Sequence, residues 1–485
     1  MTFIYLFLVT LLLSFIIEKL TLPALACHTL SQVLLKIALI SFIFGLVLLI
    51  TRRSFFSVLI TFSLELLLIV ISNTKFKTLK EPLVFSDIIL YAQVFQFPRL
   101  FLPFLSLGAL LGIIFGILFL VVFLIYEDPL AFNVYLLSVL VFILFMSPFL
   151  IVFLSQKITV EIDPIIDIKK QGLLNLLIIY FIQNLLDKKE INFPYQNNNL
   201  KTKPLAETIV CIQSESFFDA RRLSPCIKQK LLPAFEQCKT TADYYGELEV
   251  PAWGANTMRT EFSFLTGLNN QELRFKKFYP HFFYKNKAIP SLISALKAQN
   301  YYTLCIHPHP AQFFQRGAFF KQLGFDEFID INAFSKNQKS GPYIGDKAIM
   351  EKIKQVLEIH SNKKLFIFAI TMENHGPLHL ETVLDNESSR YLNQAPTTPL
   401  LNDLIIYLRH LNNADQMIKD LLDELKAKDG LCCFYGDHLP NMNAIFQQFE
   451  FENNKTDYFI SLSKQRSNIK KQITIEQLSG LFFSR

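Results

Sequence analysis

The sequence predicts an N-terminal bundle of five transmembrane helices followed by an α/β domain with a mostly parallel sheet. Apolar residues make up 51% of the 485 residues and gather into long runs within the first 156 positions. From residue 206 onward, short apolar runs alternate with helical patterns over a stretch long enough for one sizeable core. We therefore divide the chain into a transmembrane domain (1–156), an interfacial helix and linker (157–205) and a C-terminal domain (206–485).

The first part contains five apolar runs that are long enough to cross a hydrocarbon core, which needs about 20 helical residues. Lys36 and Glu65 are their interior charges, and snorkelling or pairing between helices explains both. The first run lacks the positive n-region of a cleaved signal peptide, so we expect it to be retained. The runs are Met1–Ile17, Val33–Ile50, Phe55–Ile71, Phe101–Tyr126 and Ala131–Leu154.

The loop charges of this bundle predict an orientation. The positive-inside rule would place the more basic side, and with it the C-terminal domain, in the cytoplasm. Arg52 and Arg53 fall on one side, and on the other fall Lys75, Lys77, Lys80 and Arg99.

The segment that joins the two domains has two parts. Gly172–Lys189 is amphipathic, and a helix lying on the membrane surface fits it about as well as a helix packed inside the protein. Asn192–Lys203 is polar and rich in Asn and Pro, which is typical of a linker. The net charge of +6 is modest and spread out, so we expect a surface near anionic lipid and no nucleic-acid partner.

The seven cysteines do not indicate a thiolate metal site, because the chain contains no CxxC pair. Cys226 and Cys238 flank a predicted surface segment and could form a disulfide if the domain is extracytoplasmic. Burial as small apolar side chains is expected for the four cysteines in strand-like runs, which are Cys211, Cys305, Cys432 and Cys433.

Carboxylate or imidazole side chains follow each of four predicted buried strands in the C-terminal domain. In an open parallel sheet the carboxyl ends of the strands share one edge, and ligands bind there. The pattern therefore predicts one site. Thr208–Ile212 precedes Glu215, Leu431–Tyr435 precedes Asp437 and His438, Leu365–Ile370 precedes Glu373 and His375, and Tyr301–Ile306 precedes His307 and His309.

Three of these side chains suit a divalent cation. Glu215, Asp437 and His438 supply two hard carboxylate groups and one imidazole. That combination suits Mn²⁺, Mg²⁺ or Zn²⁺ better than Ca²⁺, which prefers more oxygen ligands, or a structural zinc, which prefers Cys and His. Each residue alone could be an ordinary turn residue, but together they predict a metal site.

Thr257 has two interpretations. The apolar residues that follow it, Met258, Phe262, Leu265 and Leu268, mark one face of a helix that begins near this threonine. The hydroxyl could cap the helix, and the segment by itself favours that interpretation. It could instead act as a nucleophile, because free N–H groups at a helix start favour an anion and a divalent cation activates a hydroxyl.

Five short motifs occur in a fixed order along the C-terminal domain: Glu215 after a strand, Asn256-Thr257-x-x-Thr260-Glu261-Phe262, His307 with Phe314-x-Arg316, Asn374-His375, and Gly436-Asp437-His438. This order and spacing resemble those of lipoteichoic acid synthases and the similar phosphoglycerol transferases of osmoregulated glucans. Those proteins belong to the sulfatase-like branch of the alkaline phosphatase superfamily. Their N-terminal five-helix region and linker are similar too, so the resemblance covers nearly the whole chain.

The resemblance implies roles for eight residues. It implies that Thr257 is the nucleophile and that one divalent cation, Mn²⁺ or Mg²⁺ in that family, is bound by Glu215, Thr257, Asp437 and His438. It implies that the phospholipid headgroup is held by His307, Phe314, Arg316 and His375. In the mechanism that follows, Arg316 neutralises phosphate oxygens and His375 donates a proton to the leaving group.

The function implied is a membrane-bound, metal-dependent transferase. It would move a phosphoglycerol-type unit from a lipid such as phosphatidylglycerol to a cell-envelope glycan or polymer, through a covalent intermediate on Thr257. The catalytic domain of that family faces outward from the bacterial inner membrane, which reverses the orientation expected from the loop charges. His309 and Arg259 stand where the synthases tend to have acidic residues, so the pocket is expected to be more basic.

Two alternatives remain open at this point. A sulfatase-like hydrolase, acting on a sulfuric ester, a phosphomonoester or a phosphodiester, would use the same fold and metal. A true sulfatase, however, needs a Cys or Ser within a C/S-x-P-x-R motif, which the sequence lacks. A membrane scaffold or transporter with a degenerate domain would have lost metal ligands, and all of the expected ligands are present.

Overall fold

The structure is a computed structural model that describes residues 2–26, 28–91, 107–131, 133–196, 203–394, 401–463 and 467–483. It divides into two compact units, Met1–Lys189 and Glu190–Arg485. Each unit is described by itself.

The first unit is helical because its long apolar runs can satisfy their backbone polar groups within helices. Each of the five runs predicted to cross the membrane contains a helix, although residues 1, 101–106 and 132 of three runs lie outside the described residues. The helices are α1 (Thr2–Ile17), α2 (Leu30–Thr51), α3 (Ser54–Leu79), α4 (Asp87–Tyr91), α5 (Leu107–Tyr126), α6 (Val134–Lys157), α7 (Pro164–Gln171) and α8 (Leu173–Leu186).

Length and composition support three of the five predicted membrane spans. Within the described segments, 3 helices are long and apolar enough to cross a membrane, at Leu30–Thr51, Ser54–Leu79 and Leu136–Lys157. Shorter apolar helices lie at Ile114–Tyr126 and Leu173–Leu186. The spans at Met1–Ile17 and Phe101–Tyr126 therefore stay predictions.

The two interior charges of the membrane unit are paired between helices. Lys36 on α2 donates from Nζ to Glu18 Oε2 at 2.7 Å and lies 3.1 Å from Glu65 Oε1 on α3. All three side chains are buried. A buried ammonium is tolerated only with such partners, because removal from water disfavours an isolated charge strongly. The pairing interpretation of Lys36 and Glu65 is therefore confirmed.

The amphipathic segment Gly172–Lys189 contains α8, which packs against α2 and α6. Asn175 Nδ2 donates to Gln32 O at 3.0 Å, and Gln183 Nε2 donates to Ser155 O at 2.8 Å. The opposite face leaves Leu185 exposed. One face of this helix is thus part of the packed unit, and the other presents apolar surface.

The second unit is built on a mixed sheet. In the described part of the chain the sheet has nine strands in the order β10-β2-β9-β8-β1-β7-β3-β4, with β11 also paired to β2. Among the described strands of this sheet, only the two pairs made by β9 are antiparallel, which confirms the predicted mostly parallel sheet. The strands are β1 (Thr208–Ser214), β2 (Tyr244–Glu249), β3 (Tyr301–Ile306), β4 (Glu327–Ile329), β5 (Lys339–Ser340), β6 (Tyr343–Ile344), β7 (Lys364–Ile370), β8 (Leu431–Gly436), β9 (Thr456–Leu462), β10 (Ile469–Lys470) and β11 (Ile473–Thr474), where β5 and β6 form a separate hairpin.

Helices and loops cover both faces of this sheet. Alternate residues of β1 enter different hydrophobic clusters: Val210 and Ile212 face one side, and Ile209 and Cys211 face the other. Burial on both faces explains why these strands read as continuous apolar runs. The helices are α9 (Pro233–Thr241), α10 (Thr257–Thr266), α11 (Pro280–Tyr284), α12 (Leu292–Lys297), α13 (Arg316–Leu323), α14 (Asp346–Ile359), α15 (Ser388–Tyr391), α16 (Leu401–Lys426), α17 (Asn443–Gln448) and α18 (Ile475–Leu478).

The four strands predicted to carry the site are neighbours in the sheet. They lie in the order β8-β1-β7-β3 and are mutually parallel. Their carboxyl ends therefore meet at one edge, as the sequence predicted.

The disulfide that the sequence allowed between Cys226 and Cys238 is not formed, because both are free thiols.

Candidate functional site

The three predicted metal ligands meet at the carboxyl edge of the sheet. Glu215 follows β1, and Asp437 and His438 follow β8; all three are buried. One ligand atom from each lies within 4.8 Å of the others. His438 Nε2 is 3.5 Å from both Glu215 Oε1 and Asp437 Oδ2. These atoms are close enough to share a single ion.

Hydrogen bonds from neighbouring residues hold these side chains in place. The Ser216 N–H donates to Asp437 Oδ1 at 2.8 Å, and its hydroxyl donates to Glu215 Oε1 at 2.8 Å. The Glu215 N–H donates in turn to Thr371 Oγ1 at 3.0 Å. Such contacts orient metal ligands before an ion binds.

Gly436 allows the β8 end to approach the β1 loop. It pairs with Ser214 in the sheet and directly precedes Asp437. A Cβ atom at position 436 would lie 1.8 Å from Phe217 O, so no other residue fits here without a shift. This close approach brings Asp437 next to Glu215.

The electrostatics of the cluster fit a cation. Among the described residues, Asp437 Oδ2 is buried without a hydrogen-bond partner. Burial and the nearby Glu215 carboxylate raise the pKa of Asp437 to about 7. Burial lowers the pKa of His438, but Asp437 and Glu215 raise it overall. A divalent cation would balance the two carboxylates and use the unpartnered oxygen, so the residues present fit the metal that the resemblance implies.

Thr257 is the first residue of α10, and its side chain reaches the cluster of predicted metal ligands. Asn256 occupies the N-cap position with φ 66° and ψ 35° and makes no side-chain cap bond. The capping interpretation of Thr257 is therefore wrong: the threonine lies inside the helix. Its side chain interacts with Asp437 closely enough to lower the pKa of that carboxyl. One turn later, Thr260 Oγ1 donates to Asp437 O at 2.9 Å and ties the helix start to the cluster.

A second group of side chains contains two buried histidines. His307 Nδ1 lies 3.3 Å from Ile370 O, while Nε2 has no hydrogen-bond partner among the described residues. Burial, followed by the charges of Arg316 and nearby histidines, holds the pKa of His307 well below its usual range. Burial and Arg316 likewise lower the pKa of His309 to about 3. Both rings are therefore neutral near pH 7 and can hydrogen bond as neutral groups.

Arg316 is held by a carboxylate that sequence reasoning did not assign. Arg316 Nε donates to Glu261 Oε2 at 3.0 Å, and Nη2 donates to Glu261 Oε1 at 2.5 Å. Both side chains are buried, and Glu261 lies on α10, one turn after Thr257. The pair fixes the guanidinium in a planar, two-point geometry. Glu261 belongs to the second of the five sequence motifs, but no sequence pattern indicates that it pairs with Arg316.

Phe314 lies against Arg316. Its ring is 5.1 Å from Arg316 Cζ and 6.3 Å from the Tyr279 ring. Its backbone has φ 53°, and Gln315 follows with φ 59°, conformations that are uncommon for side chains of this size. This turn places α13, which begins at Arg316, directly behind the aromatic ring.

His375 is partly exposed after β7. Its Nδ1 lies 2.7 Å from Gly376 O and donates to that carbonyl, which leaves Nε2 to contact a ligand. The ring of Tyr343 lies 5.2 Å from the His375 ring. Tyr343 belongs to the β5–β6 hairpin, which the sequence did not predict. The Gly341-Pro342 pair is a turn signal, but it does not say what the hairpin covers.

The comparisons with known proteins agree with this fold. A family model described as Sulfatase matches residues 207–478, more than half of the chain. The capsular polysaccharide biosynthesis protein RkpI of Rhizobium meliloti (strain 1021) is 28% identical over 460 residues, which cover 90% of this chain and 82% of that protein. The resemblance drawn from the motifs is therefore confirmed at the level of this superfamily.

Two solved structures are also similar. One is the integral membrane protein lipooligosaccharide phosphoethanolamine transferase A (EptA) from Neisseria meningitidis, with a TM-score of 0.55 and 12% identity over 93% of this chain and 94% of that chain. The other is the Streptococcus pyogenes phosphoglycerol transferase GacH in complex with sn-glycerol-1-phosphate, with a TM-score of 0.48 and 24% identity over 59% of this chain and 77% of that chain. The EptA match extends over both units, and it is evidence of the fold alone.

Proposed function

Because the chain belongs to the sulfatase family, we propose that it is a membrane-bound, metal-dependent transferase. It moves a phosphoglycerol-type headgroup from a phospholipid such as phosphatidylglycerol to a cell-envelope glycan or polymer. The observation that carries this proposal is the meeting of Thr257 with Glu215, Asp437 and His438. A threonine at the first turn of a helix beside a metal site is suited to covalent transfer.

One divalent cation is the proposed cofactor. Glu215, Thr257, Asp437 and His438 would hold it, and this donor set suits Mn²⁺ best, with Mg²⁺ or Zn²⁺ as alternatives. When bound, the cation supplies Lewis acidity that lowers the pKa of the Thr257 hydroxyl.

In the first proposed step, Thr257 Oγ1 attacks the phosphorus of the donor. The Oγ1–P bond forms, the P–O bond to diacylglycerol breaks, and the threonine proton passes to solvent. His375 donates a proton from Nε2 to the departing diacylglycerol oxygen. The product is a phosphoglyceryl ester on Thr257.

In the second proposed step, an acceptor hydroxyl attacks the same phosphorus. His375 Nε2 now takes the proton of that hydroxyl, which returns the imidazole to its starting state. The bond from the acceptor oxygen to phosphorus forms, the P–Oγ1 bond breaks, and Thr257 Oγ1 takes a proton from solvent. Proton transfer by a positioned side chain in both directions is typical of two-step group transfer.

The remaining residues bind and orient the headgroup. Arg316, held by Glu261, supplies positive charge towards the phosphoryl oxygens, and the free N–H groups at the start of α10 act in the same direction. His307 offers its unpartnered Nε2 to a glycerol hydroxyl, and Phe314 packs against the group. Neutral imidazoles suit an uncharged polyol, which is why we propose phosphoglycerol rather than an ammonium-bearing headgroup.

The proposals for the acceptor and for the cellular location rest on similarity to other proteins. RkpI is named for capsular polysaccharide biosynthesis, which supports a glycan acceptor at the cell envelope. We place the protein in the bacterial inner membrane as a multi-pass protein, with residues 206–485 as an extracytoplasmic catalytic domain. The division at residues 156 and 205 belongs to this proposal.

The test is the covalent adduct. The full-length protein is incubated with phosphatidylglycerol, and the Thr257 peptide is examined by mass spectrometry for an added phosphoglyceryl group. Thr257→Ala should form no adduct and lose turnover by orders of magnitude, whereas Thr257→Ser should retain some turnover. If Thr257→Ala releases diacylglycerol at the wild-type rate, a metal-activated water is the nucleophile, and a sulfatase-like hydrolase is the better assignment.

A further inference from the structure

The β5–β6 hairpin places an aromatic side chain beside the proposed proton donor. Lys339 pairs with Ile344 and Ser340 pairs with Tyr343, which leaves Gly341 and Pro342 as the turn. Gly341 has φ +67°, which a two-residue hairpin turn requires of its first central residue. The hairpin is therefore a defined element.

Tyr343 and His375 share one hydrogen-bond acceptor. The Tyr343 hydroxyl donates to Gly376 O at 3.3 Å, and His375 Nδ1 donates to the same oxygen at 2.7 Å. The two rings lie 5.2 Å apart with an interplanar angle of 59°. The tyrosine thus contacts both the imidazole ring and the carbonyl that fixes its tautomer.

A single carboxylate holds the hairpin and the histidine loop together. Glu373 lies two residues before His375. Its Oε1 accepts from Ser340 Oγ at 2.7 Å, and its Oε2 accepts from the Asp346 N–H at 2.6 Å, immediately after the hairpin. The last residue of β5 and the start of α14, two residues after β6, are therefore fixed to the loop that carries the proposed proton donor.

Helix α16 fixes this carboxylate from behind. His410 Nδ1 lies 3.0 Å from Glu373 Oε1, and Asn413 Nδ2 donates to the same oxygen at 2.5 Å. His410 Nε2 lies 2.9 Å from Glu381 Oε1, and Glu381 packs against the turn, where a Cβ on Gly341 would meet its Oε1 at 2.5 Å. Glu373 therefore holds β5 and the chain just after β6, and Glu381 packs against the turn.

From these contacts we infer that Tyr343 is a positioning residue for His375. It keeps the Nδ1 proton on Gly376 O and so keeps Nε2 directed at the leaving group. The inference rests on the proposed function, because that function gives His375 the proton transfer. The hydrogen bond made by one ring nitrogen of a histidine sets which nitrogen faces the substrate. Moving a reacting group by about 1 Å can cost about a hundredfold in rate.

The experiment compares two donors on the full-length protein. Phosphatidylglycerol has an alkoxide leaving group that needs a proton, whereas bis(p-nitrophenyl) phosphate releases a nitrophenolate that needs none. Tyr343→Ala should lower kcat for phosphatidylglycerol about tenfold or more, with KM within about twofold. It should change little the rate of the first-turnover burst of nitrophenol, which precedes the acceptor step that also uses His375. Tyr343→Phe keeps the ring and should fall between the wild type and Tyr343→Ala.

A double-mutant cycle separates positioning from a general loss of structure. His375→Ala with Tyr343→Ala should be no slower than His375→Ala alone, because the tyrosine acts through the histidine. The matched control is Tyr302→Ala, which removes another tyrosine packed on a histidine, at 4.6 Å from the His360 ring and outside the site. That variant should match the wild type with both donors.

Each failure has a distinct signature. Equal losses with both donors, or independent losses in the double mutant, would overturn the role of Tyr343 and leave the proposed function standing. Failure of the wild-type protein to release diacylglycerol from phosphatidylglycerol would overturn the proposed function and this inference with it.

Discussion

At the residue scale, the pair of Arg316 and Glu261 shows how a full charge is kept inside the second unit. The two side chains are buried and meet through hydrogen bonds from Nε and Nη2. Such a pair adds little net stability, but losing one partner leaves an uncompensated charge. The motif indicated Arg316, yet its partner lies 55 residues earlier in the chain, and no local pattern connects the two.

We expect Glu261→Gln to destabilise the protein by about 3–5 kcal/mol, because Arg316 would stay buried without its counter-charge. Transfer activity should fall as well, since the guanidinium loses its orientation. The control is Glu247→Gln, which breaks the partly exposed pair with Arg222 and should cost about 1 kcal/mol or less. Thermal unfolding of the full-length protein in detergent measures both. Similar midpoints for the two variants would contradict this account.

The metal ligands allow a second prediction at this scale. The wild type should bind one divalent cation, and Asp437→Ala should lose that cation while remaining folded, because an unpartnered carboxylate oxygen is removed. Metal content by mass spectrometry and thermal unfolding with added Mn²⁺ are the measurements. Asp385→Ala, at an exposed position, serves as the control. A wild-type protein without metal and without stabilisation by Mn²⁺ would mean that the site is misassigned.

At the element scale, the strands that could be predicted are those buried on both faces. The predicted strand Tyr301–Ile306 is identical to β3, and Leu365–Ile370 is β7 without its first residue. Their apolar runs end at polar residues, so the end of the run also marks the end of the strand. The hairpin strands β5 and β6 have two residues each, which is too short for any periodic signal. The antiparallel insertion of β9 depends on tertiary pairing and has no local signature.

Gly436 offers a test of how the sheet edge builds the site. Gly436→Ala should destabilise the protein by about 1–3 kcal/mol or more and weaken metal binding, because its Cβ would meet Phe217 O at 1.8 Å and move Asp437. Gly480→Ala adds the same methyl group where no atom lies within 4 Å, and it should stay within about 1 kcal/mol of the wild type. Unfolding midpoints and metal affinity are compared. An unchanged metal affinity in Gly436→Ala would argue against this role.

At the scale of the whole molecule, stability should depend on pH through His410. Burial lowers the pKa of this imidazole, but hydrogen bonds with Glu373 and Glu381 raise it from 6.5 to about 9. The folded protein therefore binds a proton more tightly than the unfolded chain. The resulting stabilisation, about 3 kcal/mol at 1.36 kcal/mol per pKa unit, is complete below pH 6.5 and is lost as the pH rises through about 9.

The corresponding variant is His410→Gln, which remains uncharged at every pH. Between pH 6.5 and 9.5 the wild type should lose more of its unfolding free energy than this variant does. His379→Gln, at an exposed position, should follow the wild type. Parallel pH curves for the wild type and His410→Gln would show that the imidazole is not charged in the folded protein.

The orientation of the chain in the membrane is also a whole-molecule property, and contacts inside the first unit show which of its loops lie together. At one end, Arg53 Nε donates to Glu127 O at 2.7 Å, so the loops after α2 and α5 lie together. In another place, Asn73 Nδ2 donates to Leu20 O at 2.7 Å, and the Ala26 N–H donates to Lys169 O at 2.8 Å. The loop after α1 thus meets both the end of α3 and the segment after α6.

These two groups of loops alternate along the chain, an arrangement that the proposed five crossings would produce, and hydropathy could not reveal this alternation because it does not pair loops. In the orientation that we propose, the N-terminus is inside, Arg52 and Arg53 face the cytoplasm, and the chain after Gln156 faces outward. An alkaline phosphatase reporter fused after Gln156 should therefore be active, and the same reporter fused after Arg53 should be inactive. The basic residues Lys75, Lys77 and Lys80 alone would give the opposite result. An inactive reporter after Gln156 would remove the outward-facing acceptor from the proposed reaction as well, since the glycan and the catalytic domain would then lie on different sides.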